Sequence, residues 1–171
     1  MSEAVDKSKI KLAIDRVDLI FLISTLVLLT LHLIYLLVNP IPTGTLVPMK
    51  FDFSGRVTSY GESWTLWLLW ASNIFVALTV SIVAMIPSIH NIPWALNAQN
   101  APKLLRLSRR LCLFISAWIS LAFFLTNYFV VTVALNPESS FPGSLISLIL
   151  LGSLVPLVVF WFVGSRAAKT S

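Results

Sequence analysis

Reactive side chains are scarce in this 171-residue chain, which holds two histidines, one cysteine and seven carboxylates. None falls in an H-E-x-x-H, a G-x-S-x-G or a phosphate-cradling glycine loop, and no Cys/His cluster is present. No enzyme, no cofactor and no metal are therefore expected. Cys112 alone makes neither an internal disulfide nor a multi-Cys metal site, and at the start of an apolar run it reads as a small buried hydrophobe. One polar constellation stands out. His32, Asn73 and Asn127 interrupt three different apolar runs, 6, 9 and 8 residues from the ends marked by Val38, Trp64 and Leu135. At 1.5 Å per helical residue that is a common depth of about 9 to 14 Å. Such a layer either fixes helix packing, at ~0.6 to 2 kcal/mol per interhelical hydrogen bond, or floors a cavity open to the outside.

The runs that carry these residues are membrane spans. Apolar residues make up 57% of the chain and charged residues 11%, against roughly 25% charged in soluble domains. Leu19–Val38 is 20 residues without Asp, Glu, Lys or Arg, about 30 Å of helix, which matches a bilayer's hydrocarbon core. It is too long for the apolar region of a signal peptide and is expected to be retained. Further runs cover about 64–86, 111–135 and 145–164, and none contains a carboxylate. Backbone polar groups in lipid must be satisfied within their own segment, so the expected fold is all-α, a four-helix transmembrane bundle in one membrane domain. An ion-coupled transporter would lack its intramembrane carboxylate.

Lys and Arg set the orientation. Lys7, Lys9, Lys11 and Arg16 precede the first run, Lys103, Arg106, Arg109 and Arg110 lie in the 87–110 loop, and Arg166 and Lys169 follow the last run. Only Lys50 and Arg56 lie in the 39–63 loop, and none in 136–144. The positive-inside rule then gives N-in/C-in, with 39–63 outside and 87–110 cytoplasmic. Because the basic residues flank apolar spans, the net charge of +5 fits a lipid surface and not nucleic acid.

The outer loop is expected to be structured. Met49, Phe51 and Phe53 alternate with Lys50 and Asp52, and Ser54-Gly55 could close a two-residue hairpin returning to Tyr60. That register sets Phe51 opposite Thr58 and Met49 opposite Tyr60. In the cytoplasmic loop Asn100 can cap a helix with Pro102 in its first turn. Lys103, Arg106 and Arg110 recur there at helical spacing, with Arg109 beside them. This basic face either anchors the third span to anionic headgroups or docks a partner. Pro156 interrupts the fourth run, where a kink is expected.

Two stretches resemble a bacterial membrane family, the domain of unknown function at the start of SdpI-type immunity and signalling proteins. Its pattern is approximately P-x-x-I/V-P-x-H-F-x-x-x-G-x-x-x-x-Y-G-x-K. Here Val47-Pro48-Met49-Lys50-Phe51-Asp52-Phe53-Ser54-Gly55 matches, followed by Tyr60-Gly61. Asn91-Ile92-Pro93-Trp94, Asn100-Ala101 and Arg106-Leu107-Ser108-Arg109-Arg110-Leu111 are similar to the family's N-x-P-W … N-A … R-L-A-R-R-L segment. The resemblance covers about Leu19 to Leu135. It departs at Lys50, where the family carries His, and near Ser63, where it carries Lys. It implies a bacterial inner-membrane protein with Pro48, Lys50, Phe51, Asp52, Gly55 and Tyr60 as its outer-loop motif. The expected function is a non-enzymatic binding or sensing module engaging a peptide or protein partner at the outer face. An accessory subunit of a larger membrane complex, or a small permease or channel, are the alternatives.

Overall fold

The computed structural model describes residues 5–52, 54–136 and 143–169. Its elements are α1 (Arg16–Val38), β1 (Leu46–Phe51), β2 (Val57–Glu62), α2 (Thr65–Ala84), α3 (Ala101–Leu135) and α4 (Gly143–Lys169), with 3-10 turns at Lys7–Lys9 and Pro87–Ile89. Four helices are long and apolar enough to cross a membrane. Phe53 and most of the 136–144 connection lie outside the described residues.

The helices pack through narrow seams. α1 buries Thr25, Leu29, His32 and Leu36, and α2 buries Leu66, Asn73, Ala77 and Ala84, both at spacings of three, four or seven. Side chains three and four apart share a helix face, so each seam is one stripe. Much of it is small or polar, which lets backbones approach where lipid offers no hydrophobic drive to associate. The Ser116 hydroxyl donates to the Ala77 carbonyl at 2.9 Å and lies 3.0 Å from the Ser81 hydroxyl. α3 is the central element, packed against α1, α2 and α4. α4 sits on the outside of α3, where two close approaches dock it. A Cβ at Gly152 would enter the Trp118 indole and one at Gly164 the Trp94 indole. Trp118 also donates to the Ile149 carbonyl at 3.2 Å.

Helix bounds depart from the sequence expectation where caps and turns decide them. α1 starts at Arg16 because Asp15 and Asp18 form a reciprocal capping box. α3 starts at Ala101, where Asn100 and Pro102 indicate a helix start, and runs 35 residues without a break, so that helix is continuous with the third span. Asn100 does sit at its N-cap, yet its side chain makes no capping bond. Its amide turns back, with Oδ1 accepting from the Asn97 N–H and Nδ2 donating to the Ala95 carbonyl.

The segment between α1 and α2 is a two-stranded antiparallel hairpin. Its register corrects the expected one. Phe51 pairs with Val57, Lys50 with Ser59 and Pro48 with Tyr60, with irregularities after Pro48 and Lys50. The ladder closes at Asp52, whose N–H donates to the Arg56 carbonyl, one step wider than a two-residue turn. These irregularities break the strict alternation of the strand, and Val47 and Pro48 are buried side by side while Met49 and Lys50 are exposed. Val47 joins Leu36, Leu66, Val130 and Val131 in a core that seals this end of the bundle.

Candidate functional site

His32, Asn73 and Asn127 meet. They come from α1, α2 and α3, and each is 0% exposed. Asn73 Nδ2 lies 3.2 Å from His32 Nδ1, and Asn127 Nδ2 lies 2.6 Å from His32 Nε2. The amides reach outward to backbone as well, Asn73 to the Ser120 carbonyl at 3.4 Å and Asn127 to the Leu66 carbonyl at 3.2 Å. Phe124 packs on the imidazole edge-on at 5.9 Å. A neutral imidazole offers one N–H and one lone pair. One amide must therefore present its oxygen to the ring and the other its NH2. Asn73 Oδ1, Asn127 Oδ1 and Ser120 Oγ have no other hydrogen-bond partner among the described residues, so turning one amide satisfies one of these oxygens. This is a closed junction of three helices. Of the two readings, helix packing or the floor of an outward cavity, the full burial of the three side chains and the bond from Asn127 to the carbonyl of Leu66, a member of the hairpin-end core, favour packing.

The hairpin motif residues divide between support and display. Asp52 is the turn's organiser: its Oδ1 accepts from Ser54 N–H at 2.9 Å, Ser54 Oγ–H at 2.6 Å and Arg56 N–H at 2.9 Å. These bonds, the Ser54 hydroxyl's first, hold its carboxyl below the ordinary value. Gly55 takes a φ of 83°, a conformation that strains any residue with a Cβ. Pro48 is buried and Phe51 packs against the core from its edge. Lys50 and Tyr60 point outward. Met49 lies across Gly61, where a Cβ would come within 2.6 Å of its Cγ. Leu46, Met49, Tyr60, Trp64 and Trp67 are thus a run of exposed apolar and aromatic side chains over the hairpin and the first turn of α2.

At the opposite end the expected basic face splits. Arg109 is turned inward and buried: Nη2 lies 2.5 Å from Asp18 Oδ2 and 2.7 Å from the Ala13 carbonyl, and Nη1 lies 3.0 Å from the Leu12 carbonyl. Arg110 Nη2 lies 2.5 Å from Asp15 Oδ2. The two carboxylates that cap α1 are therefore clamped by two consecutive arginines of α3, which strap residues 12–18 onto the bundle. Arg110, chiefly through its hydrogen bond, holds the Asp15 carboxyl below its usual range. Lys7 donates to the His90 carbonyl at 2.7 Å, and burial pushes the His90 imidazole below its usual value. Only Lys103 and Arg106 remain exposed, with no acidic partner among the described residues. Sequence reasoning placed Asp18 outside the first span and Arg109 on the exposed face. The signal that separates them is periodic, since Arg109 shares its stripe with Leu105, Leu113 and Ser116, all buried.

Comparison with known proteins leaves this geometry to speak for itself: no family model, no curated protein and no solved structure matches the chain.

Proposed function

We propose that this chain is a non-enzymatic integral membrane module of the SdpI-like kind, which engages a peptide or protein partner through its hairpin face. The observation that carries this reading is the division of labour within the hairpin. Val47 and Pro48 are fully buried against the helix ends, while Leu46, Met49 and Tyr60 are exposed beside Trp64. An isolated hairpin is marginal in water, and seating it on the bundle yields a preorganised platform. Preorganisation lowers the ordering cost of binding, and aromatic anchors with apolar neighbours dominate binding energy. The imbalance of Lys and Arg between the two ends supports an orientation with this face outside and both termini in the cytoplasm of a bacterial cell. An accessory subunit of a larger complex is the second reading, favoured by the exposure of Trp67 and Phe75 along α2. A permease is disfavoured by the sealed polar layer and by the pairing of Asp18, the carboxylate in the first turn of α1, with Arg109.

A photo-crosslinking residue at Tyr60, compared with one at Phe75 in native membranes, tests the reading. A discrete protein adduct from Tyr60 and lipid adducts from Phe75 are expected. A protein adduct from Phe75 alone would transfer the case to the subunit reading, and lipid adducts from both would defeat the platform.

A further inference from the structure

Beside Arg110, one of the two arginines that clamp α1, a gap opens between α3 and α4. A cavity of about 410 Å³ lies between the first turns of α3 and the last turns of α4, walled by Lys103, Arg106, Arg110, Leu107, Val163 and Ala167. Its charge is one-sided. Asp15 balances Arg110, whereas Lys103 and Arg106 have no carboxylate near them among the described residues. The start of α3 adds the positive end of a helix dipole. Leu107 and Arg110 also wall a second cavity of about 260 Å³, where Val17 and Phe21 of α1 meet Phe114 of α3 and Pro156 and Val159 of α4 without a further charge. Phe114, Pro156 and Val159 recur in a third, almost wholly apolar one beside Trp118. Cations thus stand at the mouth of an apolar crevice. From Ala167 to Pro156 along α4 is about 16 Å of helix, close to the ~15 Å depth of one leaflet of hydrocarbon.

We infer that this groove is a binding site for an anionic phospholipid, with the phosphate held by Lys103 and Arg106 and one acyl chain laid in the α3–α4 crevice. The chemistry selects the occupant. A guanidinium meets phosphate oxygens in a bidentate fork and a lysine adds a point charge. A zwitterionic headgroup would bring its own cation against two unbalanced ones. A free phosphate would leave the apolar crevice unused, and a peptide would carry backbone polar groups into a region that offers them no partners. α4 is wedged against Trp118 of α3 and against Trp94 in the segment before it, and a lipid in the crevice would add to the packing of this helix. The inference stands apart from the hairpin reading, because it concerns the other end of the molecule and holds in either orientation.

The test uses the full chain in detergent, titrated with phosphatidylglycerol or phosphatidylcholine and read by native mass spectrometry. Phosphatidylglycerol should bind at least tenfold more tightly, with an advantage that shrinks as salt rises. Replacing both Lys103→Gln and Arg106→Gln should weaken phosphatidylglycerol about 30-fold, the equivalent of ~1 kcal/mol per basic residue, and leave phosphatidylcholine unchanged. Millimolar sodium phosphate should not displace the lipid. Equal binding of the two lipids by the wild type overturns the proposal without reference to any variant, as does undiminished phosphatidylglycerol binding by the double variant. Displacement by phosphate alone would assign the cavity to a free anion and overturn the lipid assignment.

Discussion

Replacing His32 by Leu keeps the volume of the helix junction and removes both hydrogen bonds that converge on it. The amide that presents its NH2 to the ring keeps its backbone carbonyl, and without the ring the other can turn back to its own, Ser120 for Asn73 and Leu66 for Asn127, so the loss is bounded. Interhelical hydrogen bonds in membrane proteins average ~0.6 kcal/mol and reach about 1.7, so two of them come to roughly 1 to 3 kcal/mol. The geometry ranks the pairs. Asn127 sits at 2.6 Å from the ring and Asn73 at 3.2 Å, so His32 and Asn127 should couple more strongly than His32 and Asn73. Asn73 and Asn127 meet through the imidazole and should couple least. Reversible unfolding in detergent of His32→Leu, Asn127→Leu and the double variant forms a cycle whose closing difference isolates the pair. Strict additivity within about 0.3 kcal/mol for His32 and Asn127 would refute the junction.

Three further outcomes follow from the same reasoning. Asp18→Asn should destabilise the chain by roughly 3 to 5 kcal/mol, because it strips the partner from a buried guanidinium; Asp15→Asn, at a half-buried pair open to solvent, should cost far less, and equal losses on thermal unfolding would contradict the clamp. Gly61→Ala should push Met49 aside and raise protease cleavage of the hairpin, with Met49→Ala as second-site relief; Gly55→Val should do the same through its φ of 83° without relief from Met49→Ala. Acidification should loosen the two ends in order. His90 is held below its usual 6.5 by burial, so its share of stability is complete above that value and falls as the medium becomes more acid; Asp52 in the hairpin is held below 3.8, so its share persists until the pH falls under that figure. Hydrogen exchange should therefore rise around residues 85–90 before it rises in 46–62, and the reverse order would contradict the assignment.

The four spans were legible because uncharged runs of 20 or more residues leave a backbone in lipid no choice but helix. The polar layer was legible for the same reason: once the spans are placed, counting residues from their ends gives depth, and His32, Asn73 and Asn127 stand at one depth. The hairpin register was not. Alternation of Met49, Phe51 and Phe53 indicates a strand but does not say where the ladder closes. An Asp side chain accepting three hydrogen bonds favours the wider turn over the tighter one. The fate of the basic cluster was missed because proximity in sequence was read as a shared face. Arg109 and Arg110 are neighbours 100° apart on a helix, and one finds Asp18 in the interior while the other finds Asp15 at the surface. Asp18 itself escaped notice because a helix start set by hydropathy alone falls after it, whereas the capping box sets it before.

The proposed function depends on the hairpin facing the outside while the arginine-clamped end faces the cytoplasm. The most direct measurement is labelling of intact cells with a membrane-impermeant maleimide, in a background where Cys112 is replaced by Ala. Ser54 in the turn and Ser8 in the N-terminal segment are both exposed, so each can report when changed to Cys. The account expects Ser54→Cys to label in intact cells and Ser8→Cys to label only after the membrane is permeabilised. Labelling of Ser8→Cys from outside, with Ser54→Cys protected, would invert the molecule and remove the hairpin from any external partner.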